Sequence, residues 1–285
     1  MTTPPPPSAP ASSPVRRILL GDNLALLPTL PRGFARLAYI DPPFNTGKTQ
    51  SLSPVRAMAD EEGRAGFAGR RYRLDAAGDT QRYADAFDDY LAFLIPRIEA
   101  ALPCLTEDAS LFVHLDYREA HYVKVALDRL LGRGSFMNEI IWAYDYGARS
   151  KSRWSAKHDT ILWYALNPKR YVFDFEAMDR IPYMAPGLVG PEKAARGKTP
   201  TDVWWHTIVP PGGRERTGYP TQKPLGVLER FIKVHTEPGD VVLDFFAGSG
   251  TTGAAAAAHG RGYVLLDENS AAVDVMERRL GHSRG

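Results

Sequence analysis

Apolar positions along this chain fall into two alternating patterns. Short runs of strand length stand at 16–22 (RRILLGD), 34–41 (FARLAYID), 110–116 (SLFVHLD) and 138–145 (NEIIWAYD), and again at 159–166 (DTILWYAL), 170–175 (RYVFDF), 240–248 (DVVLDFFAG) and 262–267 (GYVLLD). Between them lie segments with helical spacing: 85–105, which must absorb Pro96, then 117–132 ending at Gly132, 224–236, 251–260 and 271–281. Strands that alternate with helices predict an α/β fold whose mainly parallel sheet is covered on both faces.

Three stretches break the pattern. The opening MTTPPPPSAPASSP is rich in Pro, Ser and Ala and lacks the apolar core of a signal peptide, so it is expected to be a disordered tail. Residues 53–81 carry charges and small side chains without periodicity and predict a mobile insertion, and 184–202, rich in Pro, Gly and Lys, predict a loop. Composition changes this picture little. The formal charge of +2 gives no global field, so any nucleic-acid surface must be local. Cys104 is the only cysteine, which excludes an internal disulfide and a cysteine metal cluster and fits a reducing compartment. No apolar run approaches the length of a membrane span.

Two strand ends carry candidate chemistry. In LAYIDPPFNTGK, Asp41 leaves a buried run directly into Pro42 and Pro43. Proline fixes its own φ and holds the preceding residue extended, so the backbone at Asp41 is rigid. Alone, this stretch also fits a strand that merely stops at prolines. In VVLDFFAGSGTTG, Gly248, Gly250 and Gly253 form G-x-G-x-x-G between a strand and a helix, and Asp267 ends the next strand. Such a turn suits a nucleotide, with the acidic residue accepting ribose hydroxyls. Asp244 bears on which nucleotide it suits. A carboxylate before the loop repels a pyrophosphate but favours the cationic amino and sulfonium groups of S-adenosylmethionine. Ligands of open α/β sheets bind at the carboxyl ends of strands, so both features can face one crevice.

With these motifs in order the chain resembles the amino DNA methyltransferases of the permuted beta group, in which D-P-P-Y/F precedes F-x-G-x-G. The resemblance rests on GDNLALLPTLP, DPPFNTGK, SLFVHLDYREAHYVKVALDRLLG, NEIIWAYDYGARSKSRW, YPTQKPLGVLERFI and DFFAGSGTTGAAA, and runs from about Arg17 to about Leu280. It implies a Rossmann-like, mostly parallel sheet with circularly permuted motif order and an inserted target-recognition region. The expected organisation is a tail (1–15), a catalytic half (16–137, with the insertion at about 50–82), a recognition region (138–216) and a cofactor-binding half (217–285). The resemblance further implies that Asp244, Phe245, Ala247, Gly248, Ser249, Gly250, Thr251 and Thr252 cradle the methionine part of S-adenosylmethionine. Asp267 would bind its ribose, Asp22 and Asn23 would lie near its adenine, and Thr221, Lys223 and Pro224 would close the methionine side. Asp267 stands where the family more often has Glu, and Phe44 replaces the commoner Tyr.

The implied reaction is methylation of an exocyclic amino nitrogen in double-stranded DNA, adenine N6 before cytosine N4, because the first motif residue is Asp rather than Ser. Asp41 and the Pro42 carbonyl would accept the amino hydrogens, Pro43 would hold that carbonyl, and Phe44 would stack on a flipped base. Neither a metal nor a covalent nucleophile is needed. For DNA contact the chain offers Lys48 and the run YGARSKSRWSAKHD, with Arg149, Lys151, Arg153, Lys157 and His158 around Trp154, although a solvated basic loop has the same composition. His114 and Asp116 end a strand and could line the crevice or be structural; Trp204 and Trp205 suit packing; His121, His235 and His259 lack metal-ligand spacing. Other readings of the motif are methylation of a protein amide or of RNA, or a catalytically silent DNA-binding relative. The resemblance implies a cytoplasmic, nucleoid-associated enzyme of restriction–modification type, and leaves room for a homodimer and an endonuclease partner without requiring either.

Overall fold

The computed structural model describes residues 14–45, 48–52, 55–65, 71–76, 81–85, 87–147, 149–210 and 212–281, with side chains everywhere except between 46 and 86. The first apolar runs form β1 (Arg16–Leu20) and β2 (Ala35–Ile40), separated by the short helix α1 (Asn23–Leu26). The expected insertion contains four strands: β3 (Lys48–Leu52), β4 (Val55–Ala65), β5 (Arg71–Ala76) and β6 (Gln81–Asp85). β4 pairs antiparallel with β5, and this hairpin is nested within an antiparallel β3–β6 pair.

Helix α2 (Tyr90–Ala101) starts where the Asp89 carboxylate accepts the Ala92 N–H at 2.9 Å, and it carries Pro96 inside. It buries Tyr90, Leu94, Ile98 and Ala101, one helical stripe. There follow β7 (Leu105–Leu115), α3 (Ala120–Leu131), β8 (Phe136–Ala143) and β9 (His158–Ala165). Beyond them come α4 (Pro191–Arg196), β10 (Val203–Trp205), α5 (Leu225–His235), β11 (Val241–Asp244), α6 (Thr251–Ala258), β12 (Gly262–Asp267) and α7 (Ser270–Leu280).

Eight strands make one sheet in the order β1-β12-β11-β2-β7-β9-β8-β10, in which only β9 runs against its neighbours. The last two strands of the chain therefore lie between the first two, and the two ends of the sequence build one sheet. Side chains alternate between faces with period two. Ala38, Ile40, Leu111, Val113, Leu243 and Leu266 face a core covered by α2 and α3, while Leu37, Tyr39, Phe112, Val242 and Leu265 face the core under α5, α6 and α7. Burial on both faces is why these strands are continuously apolar in the sequence.

Two expectations differ. Residues 170–175, expected as a strand, run as coil. Tyr171 and Phe173 instead pack on Trp163, at ring distances of 5.5 and 5.9 Å, and the Asp174 N–H donates to the Val234 carbonyl. The loop expected at 184–202 includes α4, which opens on Pro191 and stops at Gly197 (φ +75°). No helix among the described residues is long and apolar enough to cross a membrane.

Candidate active site

β11 and β2 are adjacent and parallel, with Leu243 opposite Ala38, so their carboxyl ends emerge side by side. From β11 the chain crosses through α6 to β12 on one side; from β2 it passes through α2 to β7 on the other. This reversal is a topological switch point, where an open α/β sheet leaves a crevice. Asp244 ends β11 and Asp41 follows β2, so the two motifs, some two hundred residues apart, flank one opening.

A cavity of about 400 Å³ occupies that crevice. Asp41, Pro42, Pro43 and Phe44 line it together with Asn23, Thr221, Lys223, Asp244, Phe245, Ala247, Gly248, Ser249, Thr251, Thr252 and Asp267. Three of the expected residues are not on its surface. Asp22 caps α1, its Oδ1 accepting the Leu24 N–H at 2.9 Å. Pro224 stands at the N-cap of α5, and Gly250 at the N-cap of α6. The glycines have distinct backbone duties: Gly250 has φ +71° and a Cβ there would meet Met276 Cγ at 2.8 Å, while Gly248 (φ +49°) lets the Tyr219 ring approach the loop.

The cavity is acidic. Asp244 is buried; its Oδ2 accepts from Thr252 Oγ1 at 2.6 Å and its Oδ1 from the Phe246 N–H. Burial, reinforced by the charges of Asp41 and Asp267, nevertheless pushes its pKa up to about 7. Asp267 accepts the N–H groups of Gly248 and Asn269, and burial and Glu268 raise it to about 6. Asn23 donates from Nδ2 to the Phe245 carbonyl, while its buried Oδ1 has no hydrogen-bond partner.

Several lining residues carry no sequence signal of their own. Phe93 stacks on Phe87 at 4.2 Å and lies 5.9 Å from Phe246, and Arg97 covers the Phe93 ring at 4.2 Å. Helical spacing marks α2 but not the face that turns to a ligand. Tyr219 opens the YPTQKP stretch but has no role assigned there, and Glu268 is unmarked.

Asp41 has an unusual surrounding. Lys223 Nζ lies 3.1 Å from its Oδ1 as an ion pair, but is not aligned as a hydrogen bond, and this buried oxygen has no hydrogen-bond partner. His114 Nδ1 is 3.9 Å away. His114 is fully buried beneath Phe44. Its Nε2–H donates to Asp159 Oδ2 at 3.1 Å, which leaves Nδ1 to accept from the Tyr39 hydroxyl at 2.6 Å. Burial opposes ionisation of Asp159, but hydrogen bonds from His114 and Tyr144 and the charge of Lys223 hold its carboxyl below the usual range.

A second cavity, also about 400 Å³, adjoins the first through Phe44, Thr221 and Lys223. Trp142, Tyr144, Asp116, His158 and Asp159 contribute to its walls. From its edge projects the loop expected to touch DNA, closed at its stem by a Tyr144 N–H to Lys157 carbonyl bond. Trp154 at its tip is 98% exposed, Lys151 and Arg153 are exposed, and Arg149 pairs with Asp145. Lys157 donates to the Tyr146 carbonyl. The Lys48 side chain lies outside the described residues. His235, buried among Phe112, Trp163 and Phe173, is depressed by burial to about 3 and stays neutral. No three-residue cluster able to hold a metal occurs among the described residues.

The family profile N6_N4_Mtase, described as DNA methylase, matches residues 35–278. The chain belongs to the N6/N4 DNA methylase family. Among its relatives, the DNA adenine methyltransferase YhdJ of Escherichia coli (strain K12) is 27% identical over 278 residues, covering 93% of this chain and 82% of YhdJ. Two solved structures share the methylase fold at low identity. The M1.HpyAVI–SAM complex superposes with a TM-score of 0.59 at 19% identity, covering 93% of this chain and 99% of that one. The PvuII DNA methyltransferase, cytosine-N4-specific, gives 0.58 at 16%, covering 95% and 96%. The methylase fold thus serves an adenine methyltransferase relative and a cytosine-N4 neighbour, and these likenesses do not choose between the two targets.

Proposed function

We propose that this DNA methylase transfers a methyl group from S-adenosylmethionine to adenine N6 of a base flipped out of duplex DNA. The observation that carries this reading is the Asp41 carboxylate on the wall of the first cavity, rigidly placed by Pro42 and Pro43 beside Lys223, which lines both cavities, with a buried oxygen that lacks a hydrogen-bond partner.

The first cavity fits the cofactor. Its carboxylates, Asp244 and Asp267, suit a cationic ligand, and the unpaired Asn23 Oδ1 suits the N–H of an adenine. Phe93 and Phe246, tilted 55° to each other, offer an apolar wall. When bound, the cofactor supplies an electrophilic methyl group. The second cavity, walled by Phe44, Trp142 and Tyr144, is the proposed seat of the flipped base.

The exocyclic amine of adenine is a weak nucleophile because its lone pair is delocalised into the ring. Asp41 and the Pro42 carbonyl accept its two N–H bonds, localise that lone pair and aim it toward the first cavity. Catalysis is then orientation by fixed acceptors, which need no rearrangement during transfer. The Asp at the head of the motif supports adenine over cytosine. Nucleoside mass analysis of duplex DNA incubated with enzyme and cofactor tests this: N6-methyladenine is expected, and N4-methylcytosine without N6-methyladenine would refute the choice of base.

A further inference from the structure

The lysine of the T-Q-K-P stretch was expected on the methionine side of the cofactor, yet its ammonium is turned to the catalytic motif. Lys223 Nζ lies 3.1 Å from Asp41 Oδ1 and 4.5 Å from the centroid of the Phe44 ring, over its face. These are the two contacts that the reaction assigns to the substrate: an amino group within reach of Asp41 and a base stacked on Phe44. The lysine side chain is 12% exposed and lines both cavities, so it stands in the opening between them. A base cannot bring its amine to Asp41 across the face of Phe44 while the ammonium remains there.

The surroundings permit a swing. The Lys223 backbone is anchored, its carbonyl accepting from Thr251 Oγ1 at 3.2 Å and the next residue, Pro224, capping α5. Its side chain is a flexible four-carbon stem bearing a point charge. Asp159 and Asp116 supply other carboxylates on the wall of the second cavity, and Asp159 already feels the Lys223 charge. In the base-free protein a cation beside Asp41 also offsets the cost of an enclosed carboxylate next to Asp244 and Asp267.

We propose that Lys223 is a place-holder for the target amine: its ammonium pairs with Asp41 until the flipped base displaces it, and so sets how tightly the base is held. This rests on the reading of Asp41 as the acceptor of the amino group. Lys223 is thereby a positioning residue rather than a cofactor ligand.

The test uses the full chain, a duplex containing its methylated site as mapped by modified-base sequencing, and the same duplex with purine, which lacks the amine, at the target position. Lys223→Met is expected to bind the adenine duplex about tenfold more tightly than the unaltered protein, because no ion pair must be broken. The purine duplex, which must clear the ammonium from Phe44 but has no amine to take its place at Asp41, should gain clearly less than the adenine duplex, and affinity for the cofactor should change less than about twofold. Weakened cofactor binding with unchanged DNA binding would overturn the proposal, as would looser binding of the adenine duplex, the mark of a lysine that donates to the base. An equal change for both duplexes would mark a phosphate contact and overturn it as well. Lys223→Gln, which keeps a polar group without the charge, should shift the adenine duplex in the same direction. In the unaltered protein, amine-directed acylation read by mass spectrometry should label Lys223 faster in the adenine complex than in the purine complex; equal rates count against displacement. If the unaltered protein methylates no DNA, the underlying reading fails. If it methylates DNA and Lys223→Met binds no tighter, the place-holder alone fails.

Discussion

The two cavities share Phe44, Thr221 and Lys223 but are built from different parts of the sheet, and their chemistry differs accordingly. The first sits at the ends of the central strands β11 and β2 and is walled by carboxylates whose positions backbone N–H groups fix, as at Asp267 and Asp244. The second lies toward β9 and β8, near the sheet edge, and is walled by aromatics and by loops on either side of β8 and β9. A central strand end is held by neighbours on both sides, so groups there keep an orientation that methyl transfer can use. Edge strands and loops tolerate change, which suits a surface that must distinguish one DNA site from another. Between the two, His114 ties Tyr39 of the first cavity to Asp159 of the second.

The sharpest way to break this contrast is to remove the carboxylate of the first cavity that stands beside the shared Lys223. Asp41→Ala should lower methyl transfer on the order of 10³-fold, as loss of a transition-state hydrogen-bond partner does, while cofactor and DNA binding survive. Tritium transfer from labelled cofactor measures the first and equilibrium binding the second. Retained transfer would remove Asp41 from the chemistry.

Gly250→Ala tests whether the first cavity depends on backbone shape. The left-handed φ of +71° and the 2.8 Å approach to Met276 should together cost about 1–2 kcal/mol, seen as a lowered Tm, with roughly tenfold weaker cofactor binding in calorimetry. The same substitution should leave DNA affinity unchanged, since Gly250 caps α6 and lines neither cavity.

pH separates the cavities electrostatically. Asp244 and Asp267 titrate near about 7 and about 6, above the unfolded carboxylate value, so the stability that each contributes is fully present below that unfolded value and is lost as pH rises through the folded one. A cationic cofactor binds the ionised carboxylates better. Its affinity should therefore rise by about tenfold from pH 5.5 to 7.5, with protons released on binding. Calorimetry in buffers of different ionisation enthalpy reads both, and a flat profile would mean that these carboxylates do not face the cation.

The smallest effects belong to the exposed loop between Tyr144 and Lys157, proposed to touch DNA. Trp154→Ala should raise the apparent Kd for DNA about fivefold, the scale of one lost stacking contact, without changing cofactor affinity. Arg149→Ala should change it by less than about twofold, because Arg149 is already paired with Asp145. A loop that serves only as solvated surface would leave DNA affinity unchanged in Trp154→Ala as well.

The parts of the site legible in the sequence are those that local backbone constraints mark. Pro42 and Pro43 fix Asp41, and Gly248 and Gly250 announce a turn, wherever the rest of the chain goes. Asp22 and Asn23 show the limit of that reading. The two are adjacent, yet only Asn23 enters the cavity while Asp22 caps α1, because the start of the helix turns their side chains apart. Lys223 was visible as part of a motif but not its partner, which lies on another strand end. Residues 170–175 misled because an apolar run alternating with polar residues suits coil packed on Trp163 as well as a strand. The ladders β3–β6 and β4–β5 had no apolar alternation to reveal them.

The sequence by itself determined the element types outside the insertion at 48–85 and the stretch 170–205, the two rigid strand ends and the acidic character of the glycine loop, since each follows from residues a few positions apart. The tertiary structure decided that β11 and β2 are neighbours, that Phe93, Arg97 and Tyr219 wall the first cavity, and that Lys223 meets Asp41 rather than standing apart from it. Those outcomes depend on which strand lies beside which, and strand order is set by how two helical layers bury both faces of one sheet.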